Sequence, residues 1–178
     1  MLTLLDLPAE LSIRDGVITL RRATATDVHG LMRLLSDDPI SAGRGDVAAD
    51  ADLPAYADGL TRIIADDAND LVIAVDSRGH LVGTLQLTLI PGMARRGATR
   101  LLVEAVRVAG DQRSAGIGGA MMRWVTDIAA PTLGASLVQL TSDAARTDAH
   151  RFYERLGFTG SHIGFKYQVT PGAGERAR

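Results

Sequence analysis

At 178 residues the chain is long enough for one domain with a real core and short for two. A formal net charge of −2 gives no basic footprint for nucleic acid or an anionic membrane, and no apolar run approaches the ~18 residues of a membrane span. The absence of cysteine excludes disulfides, zinc–thiolate sites and a cysteine nucleophile.

Residues 1–11 are apolar at Leu2, Leu4, Leu5, Leu7 and Leu11, but Pro8 limits any helix. They read as an arm lying on the domain or on a partner subunit. The start lacks the basic region and small-residue cleavage site of a signal peptide, so a cytoplasmic protein is expected. Asp15-Gly16 is a hairpin turn signal, followed by a β-rich run to Arg22. Thr24 to Asp27 offers helix caps, and Val28, Leu31, Leu34 and Leu35 predict an amphipathic helix over 26–36. Asp37 to Pro54 has little periodicity and carries Asp37, Asp38, Asp46, Asp50 and Asp52. It is either a solvated acidic loop or a surface that attracts a cationic amine.

Tyr56 to Asp67 has a helical period, with Tyr56, Leu60, Ile63 and Ile64 on one side. Leu71 to Val75 is a continuous apolar run of the kind buried on both faces, and Ser77 to His80 makes a turn. Leu81 to Ile90 alternates, with Leu85 and Leu87 on one face and Gln86 and Thr88 on the other, as expected of a strand with one face on a cleft or solvent. After a basic loop (Arg95, Arg96), Thr99 to Val108 reads as a strand. It leads into the glycine-rich turn 110–119 and a helix over 117–130, pinned by Ile117, Ala120 or Met121, Trp124 and Ile128. Ser136 to Thr141 is a strand, and Asp148 to Leu156 a short helix with Ala149, Phe152, Tyr153 and Leu156 inward. Gly157 is placed for a left-handed cap, with Phe158 folding back. Ile163, Phe165, Tyr167 and Val169 alternate as a last strand, and residues 171–178 form a charged tail expected to be disordered.

Strand, glycine turn and helix together point several backbone N–H groups at one anion, because the unpaired donors and the dipole of a helix start both favour phosphate. The turn is not a nucleotide P-loop, since Gly119 is followed by Ala120-Met121 instead of Lys-Ser/Thr. A dinucleotide fingerprint fits Gly116-Ile117-Gly118, but its third small position falls on Met121 and no acidic residue lies about 20 positions on. A Gly-x-Ser-x-Gly elbow is absent, and His29, His80, His150 and His162 have no i, i+4 pairing, so no metal is expected.

Arg113-x-x-Gly116-x-Gly118 does match a pattern, together with Ala149-x-x-Phe152-Tyr153-x-x-x-Gly157-Phe158 downstream. The pair resembles the GNAT superfamily of acetyl-CoA-dependent N-acetyltransferases, and the resemblance extends over most of the chain. It implies a mixed α/β fold, with a central, mostly antiparallel twisted sheet flanked by helices on both faces, in a single domain over 1–170. It also implies that backbone groups of Val106, Arg107 and Val108 hold the pantetheine arm like an extra strand. Backbone N–H groups of Arg113, Ser114, Ala115, Gly116, Ile117, Gly118 and Gly119 would take the pyrophosphate. The side chain of Arg113 is otherwise an ordinary surface arginine.

By position in the family, Glu104 is the general base, often through water, and a partly buried carboxylate would suit that role. The alternative is a structural hydrogen bond or an ion pair with Arg100 or Arg107. Tyr153 matches the tyrosine that protonates the coenzyme sulfur; otherwise it is a core aromatic. Family members often carry Asn where this chain has Arg146, which leaves a coenzyme contact there open. The expected activity is acetyl transfer from acetyl-CoA to a small-molecule amine acceptor by direct attack in a ternary complex. No metal, nucleic acid or membrane partner is expected. A GNAT-fold domain that binds acyl-CoA as a sensor without catalysis is the alternative. The N-terminal arm and the last strand are candidate homodimer surfaces.

Overall fold

Arg14 and Asp15 turn the chain back on itself, so Ala9–Ile13 (β1) and Gly16–Arg22 (β2) pair antiparallel from Ile13↔Gly16 to Ala9↔Leu20. The computed structural model describes residues 1–38, 42, 43, 45 and 47–169; Asp46 and the tail over 171–178 lie outside these described residues. Contacts divide the chain into two compact units, 1–140 and 141–178.

The first unit is built on a six-stranded sheet. β1 and β2 are followed by Asn69–Val75 (β3), Leu81–Ile90 (β4), Arg100–Val108 (β5) and Leu137–Leu140 (β6), in the spatial order of the sequence. All neighbours are antiparallel except β5 and β6, which run parallel. The arm of residues 1–11 lies on this unit. Leu2 and Leu5 are buried, and Arg22 donates to Leu2 O (2.9 Å) and Leu5 O (3.1 Å) while Arg22 Nε meets Asp70 Oδ2 at 2.8 Å. The end of the predicted arm is itself a strand, because Leu11 and its neighbours complete a ladder with β2.

Two helices cover one face. Val28–Ser36 (α1) begins after Thr24, whose backbone N–H donates to Asp27 Oδ2 at 2.8 Å. Leu53–Ile64 (α2) carries Pro54 in its first turn, where a missing N–H costs nothing. Val28, Leu31, Met32 and Leu60 pack with Leu71 and Ile73 of β3. The opposite face carries Ile117–Trp124 (α3), whose Ile117, Ala120, Met121, Met122 and Trp124 are buried.

The helix continues through a π-turn at Val125–Ala129 to Thr132. That wider turn shifts the buried stripe to Val125 and Ala129, each 0% exposed, and leaves Ile128 55% exposed. Ile128 is therefore not one of the residues that pin the helix.

The second unit holds Thr147–Arg155 (α4); Ala149, Phe152 and Tyr153 on it, and Leu156 just after it, are half-buried. Gly157 takes φ 89° and closes the helix, and the Phe158 N–H donates to Tyr153 O at 3.1 Å. The predicted last strand is absent: residues 159–169 form no helix or ladder among the described residues. Alternation supplies strand-forming potential, but a strand needs a paired neighbour. Ile163, Phe165, Tyr167 and Val169 stand 80–92% exposed.

Candidate active site

β5 is paired on both edges only over its first half. β6 follows it from Arg100↔Leu137 to Val103↔Leu140, whereas β4 continues alongside to Gly83↔Val108. From Glu104 to Val108 the edge away from β4 therefore has no strand against it among the described residues. An extended chain carrying amides can hydrogen-bond to such an edge as a further strand would. Val106, Arg107 and Val108 lie in this half of the strand.

A bulge sits at the point where the strand opens. Gln86 opposes Glu104 and Thr84 opposes Arg107, so Leu85 faces two residues, and Ala105 adopts φ 50°. The strain of a left-handed alanine marks a place where the backbone is deliberately re-aimed. Nothing in the sequence signals this bulge, since alanine carries no turn preference.

Glu104 sits just before the bulge, cross-strand from Gln86 and thus on the same sheet face. Its side chain is exposed, not partly buried as predicted. The helices on that face, α1 and α2, build their core cluster on Leu71 and Ile73 of β3 and Leu81 of β4 and on no residue of β5, so no packed layer covers the carboxylate. Gln86 is drawn to Asn69, its Nε2 donating to Asn69 Oδ1 at 3.3 Å, and Thr88 Oγ1 donates to the same oxygen at 2.6 Å. The polar stripe on this face of β4 is thereby internally satisfied.

Past Val108 the chain makes a short 3-10 turn at Gly110–Gln112, and Ser114 (φ 69°) and Gly116 (φ 90°) both adopt left-handed conformations. Gly116 is the residue before α3, and the first helical bond runs from Ala120 N–H to Gly116 O at 2.9 Å. The N–H groups of Ile117, Gly118 and Gly119 thus precede the helical ladder and point out of the helix start. This donor set, with the positive end of the helix dipole, suits a pyrophosphate. The Ala115 carbonyl accepts from Arg14 N–H at 3.2 Å, tying the turn to the β1–β2 hairpin.

The acidic loop contributes in a way its charge alone does not reveal. Asp37 Oδ2 accepts the Gly110 N–H at 2.6 Å, and Arg113 Nη2 donates to Asp37 O at 3.0 Å. Asp37 therefore braces the glycine turn, and the exposed Arg113 side chain reaches back to the end of α1.

Tyr153 belongs to the second unit. Its ring meets Phe152 (centroids 5.1 Å apart) and Phe158 (5.8 Å) edge to face, so the aromatic cluster fixes its orientation. Arg146 stands at the N-cap of α4, its N–H donating to Asp143 O at 3.0 Å.

The sequence matches the acetyltransferase (GNAT) family model over residues 29–158. It is 28% identical over 149 residues to the aminoalkylphosphonate N-acetyltransferase of Salmonella typhimurium, covering 84% of this chain and 90% of that protein. Among solved structures, a transcriptional regulator from Bacillus halodurans superposes with a TM-score of 0.80 at 34% identity, covering 85% of this chain and 99% of that one. Glucosamine-6-phosphate N-acetyltransferase from Arabidopsis thaliana shares the fold at TM-score 0.68 and 17% identity, covering 86% of this chain and 99% of its own. The family model spans most of the chain, and the sheet with its flanking helices agrees with these matches: the chain belongs to the GNAT family of acetyltransferases.

Proposed function

We propose that the protein transfers the acetyl group of acetyl-CoA to the primary amine of a small molecule. The observation that carries this reading is the continuity of the open edge of β5 with the left-handed turn at Gly116. One leaves the outer edge of the strand at Val106 and Val108 without a strand against it among the described residues, and the other presents the N–H groups of Ile117, Gly118 and Gly119 ahead of the helical ladder. Pantetheine amides and pyrophosphate call for those two donor sets in that order. The Salmonella relative, named for a small aminated acceptor, supports the acceptor class.

In this reading Glu104 is the general base. An alkylammonium has a pKa near ~10, and freeing its lone pair at pH 7 costs about 4 kcal/mol. Glu104, directly or through a water, takes that proton. The amine nitrogen then attacks the thioester carbonyl, the C–S bond breaks, and Tyr153 donates its phenolic proton to the departing thiolate; the second proton that the nitrogen sheds as the amide forms returns through solvent to the tyrosine oxygen. The carbonyl carbon ends bonded to nitrogen, so no residue is acylated, and positioning of the two substrates supplies much of the rate. We extend the proposal to one GNAT domain over residues 1–170 in a cytoplasmic protein, without metal, nucleic acid or membrane partner. A homodimer would give the exposed residues Ile163 to Val169 a partner strand on a second copy; sedimentation velocity reads this directly.

Thiol release with an amine panel tests the assignment. Glu104→Gln and Tyr153→Phe should each slow turnover about 100-fold or more, and a loss below ~10-fold in both refutes these roles. The description of the 34%-identical Bacillus protein as a transcriptional regulator favours one other reading, an acyl-CoA-binding sensor. That reading expects tight acetyl-CoA binding and no turnover with any amine.

A further inference from the structure

We infer that the acceptor amine carries an uncharged, apolar tail of about one ring, seated between α1, α2 and the sheet. The inference rests on the N-acetyltransferase reading and names the acceptor class for that site. A cavity of about 280 Å³ lies there, lined by Leu31 and Leu35 of α1, Tyr56, Leu60 and Ile63 of α2, and Leu71 of β3. Thr84, Gln86 and Ala105 complete its floor, so it opens onto the bulge beside Glu104. An apolar cavity of about 150 Å³ holds a benzene molecule, so this one has room for a ring and a short linker.

The chemistry of the described wall disfavours a charged tail lying against it. Among the described residues no lining side chain is ionisable as an acid or a base near neutral pH, so a buried phosphonate, carboxylate or second ammonium would find no counter-ion. The two polar groups of the floor are engaged: Thr84 Oγ1 donates to Val72 O at 3.0 Å, and Gln86 is held by Asn69. The expected acceptor thus differs from the aminoalkylphosphonate named for the Salmonella relative.

Gly59 is a separate observation pointing to the same occupant. Glycine is the least favourable residue in a helix interior after proline, so a glycine in the middle of α2 needs a reason. At Gly30 of α1 the reason is packing, because a Cβ would stand 3.3 Å from Leu81 Cδ1. At Gly59 a Cβ would meet nothing within 4 Å, and its backbone is not left-handed. Gly59 lines the cavity, and its missing side chain is the space a ligand would fill.

The test measures thiol release at saturating acetyl-CoA with phenethylamine, isoamylamine, agmatine and aminoethylphosphonate, for the parent and Gly59→Leu. Leucine favours the helix and has room at Cβ, so the variant should fold, which circular dichroism checks. Phenethylamine or isoamylamine should exceed both charged-tail amines in kcat/KM by at least about tenfold. Gly59→Leu should raise KM for phenethylamine about tenfold or more and leave KM for acetyl-CoA unchanged. A preference for agmatine or aminoethylphosphonate overturns the inference, as does an unaltered phenethylamine KM in the variant. If no amine is acetylated, the acyl-transfer reading fails, and calorimetric titration with phenylethanol, which has the ring but no amine, decides the cavity separately. Binding to the parent that Gly59→Leu abolishes upholds an apolar ligand; no binding to the parent overturns it.

Discussion

Gly83→Ala probes how closely α3 is seated on the strands that lead into the glycine turn. A Cβ at Gly83 would stand 2.9 Å from Met121 Sδ and 3.2 Å from Arg107 O. Two effects oppose each other. Alanine restricts the unfolded chain and stabilises by about 0.4–1 kcal/mol where the native backbone accepts it. Overpacking costs about 1–3 kcal/mol. Met121 is 0% exposed and has no solvent to swing into, and Arg107 O belongs to the β4–β5 ladder. The clash therefore wins, and the expected net loss is about 1–2 kcal/mol. Urea unfolding of Gly83→Ala, Met121→Ala and the double variant measures it. Met121→Ala alone should cost about 2–5 kcal/mol, and the added methyl should recover part of that loss in the double variant. A single variant more stable than the parent, or a strictly additive double variant, refutes the reasoning. Because α3 starts at the turn, Gly83→Ala should also raise KM for acetyl-CoA.

Other expectations follow from the same geometry. Asp37→Ala removes the acceptor of the Gly110 N–H and should cost about 0.5–1.5 kcal/mol in urea unfolding, whereas Asp37→Asn keeps an oxygen there and should recover most of it. Val125→Ala should cost at least about 1.5 kcal/mol while Ile128→Ala stays within about 0.5 kcal/mol, and the reverse order would refute the π-turn. The paired hydrogen bonds from Arg21, each 2.8 Å, hold the Asp27 carboxyl down from 3.8 to about 2. Its folded value lies below the unfolded one, so this stabilisation is complete above the unfolded value and is lost as pH falls from 3.8 towards 2. Asp70 acts in the opposite sense, because burial raises its pKa despite Arg22, and the cost of its charge disappears on acidification. Asp27→Asn should therefore flatten the acid limb of the stability profile measured by circular dichroism; an unchanged limb would count against the pair.

Much of the fold was legible because local signals agreed with tertiary demand. The apolar run at Leu71 to Val75 is buried on both faces, and the alternation along β4 separates Leu85 and Leu87 from Gln86 and Thr88. Gly116 and Gly157 announce left-handed positions that only glycine occupies cheaply. What failed lacks a local signature. The bulge falls on an alanine, the π-turn on a stretch with no glycine or proline to mark it, and the exposure of Glu104 follows from α1 and α2 packing on β3 and β4. Ile163 to Val169 has the pattern of a strand without a partner to pair with in its own unit. The cavity was hidden because its walls come from α1, α2 and the sheet, and Gly59 reads along the sequence as a weak point in a helix. Asp37 shows the same limit: its charge suggested an amine, and its partner 73 residues on is a backbone N–H.

The most direct test of the central claim follows both products of one reaction. Purified protein is incubated with acetyl-CoA and the amine panel, free thiol is titrated, and the acetylated amine is quantified by mass spectrometry. The account expects one acetylated amine for every thiol released, with the yield abolished by Glu104→Gln. Acetyl-CoA binding without thiol release, or thiol released without an acetylated amine, contradicts it.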